Sequence, residues 1–231
     1  MWFVVPLAAV APRLPLGDVE VLSQASRATL DALDAGHHRL ALTLPRHHID
    51  AVARRLVDDL AVRAPPPRVR VFFDSLAAAD AWRTHCGACP CEVLGVGDVQ
   101  PTDDAILVVE PRNRGRPPED VADGYGLSAV QGLLARARDR PFVMLNADME
   151  ALVLSPSIGR PVRPMFYRDF VQSYFLARGP GRSPGDLCAV RRQWPGQWEV
   201  WIRSGVLGPS RNVIELSRKT TGRPNAADIL E

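Results

Sequence analysis

Three polar residues stand where apolar runs stop: Asp74 after Val69–Phe73, Glu110 after Ala105–Val109, and Asn146 after Phe142–Leu145. In an open parallel sheet, ligands bind in the crevice beyond the carboxyl ends of the strands. Two carboxylates and an amide there, with Asp148 close by, are the groups that would hold and orient a small polar ligand. Helix caps and tight turns use the same residue types at the same places, and that plainer reading is kept beside the first. The chain has no GxGxxG or GxxxxGK[ST], so the usual nucleotide-cradle signals are missing.

His85-Cys-Gly-Ala-Cys-Pro-Cys91 has the CxxC spacing of a redox pair and the donor types of a zinc site. Redox pairs sit at a helix N-terminus, which lowers the thiol pKa, whereas this pair follows a helix. Structural zinc usually takes two separated ligand pairs, and no second CxxC exists. An incidental loop is the favoured reading, with no metal and no cofactor. The pairs His37-His38 and His47-His48 flank the first strand without a carboxylate motif and read as solvated loop residues.

Residues 160–192 carry a local charge of +5, while residues 1–159 sum to −4. Arg160, Arg163, Arg168 and Arg178 are interleaved there with aromatics that include Phe166 and Phe175. Arginine with aromatics suits a protein interface or single-stranded RNA; a solvated face over an aromatic core uses the same composition. Alternation groups Phe170, Tyr174 and Leu176 on one face of a strand, and Val171, Ser173 and Phe175 on the other.

The elements that position these residues follow from periodicity. Helices are expected over 18–35 (capped by Asp18 and stopped by Gly36), 49–60, 76–85 (capped by Ser75 or Asp74) and 127–137, with short ones at 148–154 and 225–230. Strands are expected at 39–44, 69–73, 92–96, 105–109, 142–145, 170–176, 187–192 and 198–203. Residues 112–126 form a long Arg/Gly/Pro loop. Helices separate the early strands, so those near 40, 71, 107 and 143 should be mostly parallel. Gly/Pro-rich connections make those near 173, 189 and 200 an antiparallel meander. The prediction is a single α/β domain with a mixed sheet, in which Phe142–Leu145 is a central buried strand and the hinge between the two halves.

At 231 residues the chain can bury a substantial core, and a net charge of +2 gives no general case for DNA or an anionic membrane. Lys219 is the only lysine among 28 basic residues, a bias that GC-rich coding explains and that also supplies guanidinium forks. No stretch reaches the roughly 20 apolar residues of a membrane span. Residues 1–17 read as a targeting remnant or as a leading strand, and 18–231 as the domain.

From Val19 onward an ordered series of motifs adds a second kind of information: Gln24-Ala25, Leu42-Thr-Leu-Pro45, Phe73-Asp74, Leu107-Val-Val-Glu-Pro111 and Val143-Met-Leu-Asn146. Ser157-Ile-Gly159, Arg163, Arg168, Phe170, Tyr174-Phe-Leu176, Trp194-Pro, Trp198-Glu-Val and Arg223-Pro224 follow. This series resembles a plastid and cyanobacterial family defined by a domain of unknown function. Its members include a factor required for photosystem II accumulation and the extra domain of some plastid adenylate kinases. The Cys86–Cys91 loop and the 112–126 insert have no counterpart in it. The resemblance brings no catalytic residues. It implies a non-enzymatic auxiliary factor of the chloroplast stroma or peripheral thylakoid that binds photosystem subunits or assembly factors. A small-molecule or nucleotide-binding enzyme domain using the strand-end cleft is the second expectation, and RNA binding through 160–192 the third.

Overall fold

The computed structural model describes residues 14–15, 17–63, 68–86, 89–112, 125–148, 169–180, 187–203 and 215–224. The elements in order are α1 (Asp18–Asp34), β1 (Arg39–Thr43), α2 (Ile49–Arg63), β2 (Val69–Phe73), α3 (Leu76–His85), β3 (Cys91–Val93) and β4 (Ala105–Val109). Then come α4 (Tyr125–Ala137), β5 (Phe142–Leu145), β6 (Val171–Pro180), β7 (Leu187–Gln193), β8 (Trp198–Arg203) and β9 (Glu215–Thr220). A 3-10 turn, Arg46–His48, joins β1 to α2. The expectations for residues 1–13, for the loop beyond Arg112 and for the helices at 148–154 and 225–230 fall almost wholly outside the described residues.

One nine-stranded mixed sheet runs in the order β3-β2-β4-β5-β1-β6-β7-β8-β9. The strands from β3 to β1 are parallel, and β6–β9 form the antiparallel meander. Two details differ from the sequence expectation. The middle position belongs to β1, which lies between β5 and β6, so β5 is internal but is not the junction of the halves. β6 also runs parallel to β1, and the direction changes only at β7. The strand expected at 92–96 ends at Val93, because Gly95 turns the chain with a φ of +83°.

β2, β4 and β5 are apolar almost throughout because both their faces are covered. Leu107, Val109, Val143 and Leu145 share a core with α1, α2 and α3. Ile106, Val108, Phe142 and Met144 meet Val130, Leu133 and Leu134 of α4 on the opposite face. α1 begins after Gly17 with no side-chain cap, so Asp18 is its first residue and not its cap. It ends in a Schellman motif: Gly36, at a φ of +87°, donates to the Leu33 carbonyl and His37 donates to that of Ala32.

β6 does not alternate as a regular strand. Ala41 pairs with Gln172 and Leu42 with Tyr174, which leaves Ser173 as the extra residue of a bulge. Ser173 is buried beneath α1, with its hydroxyl 3.3 Å from Thr29 Oγ1 and 3.3 Å from the Ala41 carbonyl. The Gln172 amide donates to the carbonyls of Ala41 (3.1 Å) and Tyr174 (2.7 Å), satisfying groups beside the irregular pairing. The bulge puts Val171, Tyr174 and Leu176 on the α1 side, and Phe170 and Phe175 on the other. The strict alternation expected from sequence therefore fails at this point.

Candidate functional site

Phe73 pairs with Val109 and Val109 with Leu145, so Asp74, Glu110 and Asn146 emerge abreast from three adjacent parallel strands. Glu110 and Asn146 adopt left-handed conformations, with φ of 47° and 51°. Backbone bonds hold them there: Glu110 N–H donates to the Leu145 carbonyl (2.7 Å), and Asn146 N–H to that of Leu42 (2.8 Å).

The three side chains then part company. Ser75 caps α3, its hydroxyl accepting from the Ala78 amide, so Asp74 is not used as a cap. Asp74, Glu110 and Arg112 line one depression of about 270 Å³, with Asp50 and Arg54 of α2 and Trp82 and His85 of α3. Burial pushes the Asp74 carboxyl above its ordinary range. The Arg112 guanidinium and backbone N–H partly oppose that rise, and Glu110 reinforces it. Glu110 accepts from Arg112 at 3.2 Å and has Arg46 at 3.9 Å.

Asn146 is not part of this lining. Its amide oxygen accepts from Leu44 N–H (2.8 Å) and its amide nitrogen donates to the Leu44 carbonyl (2.7 Å), which ties the end of β5 to the chain leaving β1. Asp148 is exposed and forms an isolated parallel bridge with Arg112. The depression thus brings together two of the four expected side chains and adds Asp50, Arg54, Arg112 and His85. Arg112 stands just beyond Glu110-Pro111, a strand-end position that could have marked it; nothing in sequence marked the α2 pair.

A neighbouring cleft of about 930 Å³ shares Arg54, Trp82 and His85 and reaches Arg68, Arg70, Cys86 and Cys89. Arg70 is already engaged by Asp103 (2.7 Å) and Glu92 (3.2 Å). Cys86, Cys89, Cys91 and Cys188 are free thiols. Burial raises Cys89 to about 11, and its thiol donates to the Val69 carbonyl at 3.3 Å. Cys91 is raised by burial too, so neither is prepared as a thiolate.

Of the expected interface residues, Arg160, Arg163, Phe166 and Arg168 lie outside the described residues. Phe175, which alternation groups with Val171 and Ser173, is buried: its ring meets Trp198 edge-on at 5.0 Å and lies under the Arg223 guanidinium. Arg178 is exposed and donates to the Pro15 carbonyl at 2.8 Å. The expectation that all four histidines are solvated also needs correction, because His48 is buried between α1 and α2.

Among the described residues no helix is long and apolar enough to cross a membrane. No curated protein matches the sequence. A family profile described as a domain of unknown function, DUF1995, matches residues 16–231 and so spans all nine strands, from β1 to β9. On that match the chain belongs to the DUF1995 family, the one its ordered motifs resemble.

Proposed function

We propose that the protein is an auxiliary factor of the plastid that works by binding protein partners in photosystem II assembly or accumulation. The observation that carries this reading is the extent of the family match, which covers the whole sheet and both of its halves. The match takes in both halves of the sheet, which supports carrying the plastid role implied by the motif series to the chain as a unit. Tagged protein incubated with solubilised plastid membranes should retain photosystem II subunits or assembly factors over a tag-only control. Retention of none of them would remove this reading.

The depression at the strand ends favours a second reading, a small polar ligand. Asp74 is free of capping duty and partly desolvated beside Arg112, and Arg54 and His85 complete a mixed-charge wall. Such a site suits a ligand carrying both a hydrogen-bond donor and an anionic group. A thermal-shift screen of nucleotides and metabolites tests it: stabilisation that Arg112→Ala abolishes supports the second reading, and no stabilisation by any compound tells against it.

A further inference from the structure

The 3-10 turn between β1 and α2 packs beside the first turn of α1 and brings His47, His48 and Asp18 together. One ligand atom from each lies within 4.8 Å of the other two. His48 Nδ1 is 3.6 Å from Asp18 Oδ1, and the two imidazole rings are 3.9 Å apart at their centroids. We propose that Asp18, His47 and His48 form a binding site for a divalent cation of the zinc type, which would pin the start of α1 to the β1–α2 connection.

The separation of 3.6 Å is too long for a hydrogen bond. It is close to the edge of a tetrahedral ligand set, about 3.3 Å for metal–ligand bonds of about 2.0–2.1 Å. Two imidazoles and one carboxylate are donors that zinc takes readily, and three protein ligands leave a position for water.

Asp18 of α1, His47 of the turn and Arg178 of β6 are the charged and titratable groups that act on His48. Burial first, then His47 and Arg178, hold the His48 imidazole below its ordinary pKa, while Asp18 opposes them. Arg178 and the N-terminal dipole of α1 act against a cation, so the Asp18 carboxylate is the charge that permits one. His48 is the rigid member; the side chains of Asp18 and His47 are exposed and can adjust onto an ion.

The test uses tag-free full-length protein titrated with zinc by calorimetry, with cobalt as a spectroscopic probe. One zinc per chain is expected, together with a rise in Tm. The cobalt form should absorb as a nitrogen/oxygen site, without a thiolate charge-transfer band. Asp18→Asn and His47→Ala change exposed side chains and should leave the fold intact, as circular dichroism would verify. Each should weaken zinc by about tenfold or more, since even outer-shell partners are worth that much. A Cys86→Ser/Cys89→Ser/Cys91→Ser variant should bind as before. No stoichiometric binding, binding that survives both Asp18→Asn and His47→Ala, or binding lost with the cysteines would each overturn the proposal.

Discussion

At the scale of single residues, the strand-end trio shows how one sequence position can serve opposite ends. Asn146 forms two hydrogen bonds to the Leu44 backbone and sits at a left-handed φ, which asparagine tolerates better than most residues. Asn146→Ala removes both bonds from a largely buried backbone segment and should cost about 2–3 kcal/mol in chemical denaturation. A change below about 0.5 kcal/mol would mean that the clamp adds nothing. Asp74 has the opposite character. Its folded-state pKa is raised by burial, so the folded state retains the proton over the window above the ordinary value of 3.8. The stability tied to that proton is fully present below 3.8 and declines as the pH rises through the folded value. Asp74→Asn should therefore raise Tm slightly at pH 7, and the gain over wild type should vanish at acid pH. Thermal melts between pH 3 and 8 check this; a lower Tm at pH 7 would show that Arg112 outweighs the desolvation.

At the scale of elements, the bulge in β6 has the largest consequence. It moves Phe175 to the face where Val190 and Trp198 form a small core, away from the face shared with α1. Phe175→Ala should thus behave as a core truncation, with a loss of about 3 kcal/mol or more. If denaturant melts find the variant as stable as wild type, the ring is dispensable to packing and the reading of Phe175 as an interface residue returns. A second irregularity lies in β9, where Val200 pairs with Arg218 and Trp201 with Leu216, so that Ser217 is the extra residue and β8 keeps its alternation. Both Trp198 and Trp201 are buried, on opposite faces, and Glu199 between them accepts from the Trp201 indole (3.2 Å) and Arg191 (3.4 Å). β8 is therefore covered on both faces.

For the whole molecule, the order of strands links the two halves. β1 is the first strand in sequence, yet it completes the sheet between β5 and β6, and α1 packs against β6 as well as β1. Neither half has a complete core alone, so unfolding should be a single cooperative transition. Far-ultraviolet dichroism should coincide with the fluorescence of Trp82 in the parallel half and of Trp198 and Trp201 in the antiparallel half. Separate midpoints would show that the halves are independent. Much of this architecture was legible in the residues. Apolar runs flanked by Asp74, Glu110 and Asn146 mark strands buried on both faces, and the i, i+3, i+4 pattern of Ile49, Val52 and Ala53 marks α2, because periodicity reports local geometry directly. β9 was missed, since Glu-Leu-Ser-Arg-Lys-Thr lacks the apolar content of a buried strand and its pairing with β8 is what makes it one. Local sequence likewise determined that Asp74, Glu110 and Asn146 end strands, but pairing register alone set them abreast. Only the packing of α2 and α3 decided that Asp74 and Glu110 share a depression with Arg54 and His85, while Asn146 turns to Leu44. The burial of His48 beside Asp18 is likewise a tertiary outcome, because thirty residues of helix and strand separate them in the chain and only the return of β1 beside α1 brings them together.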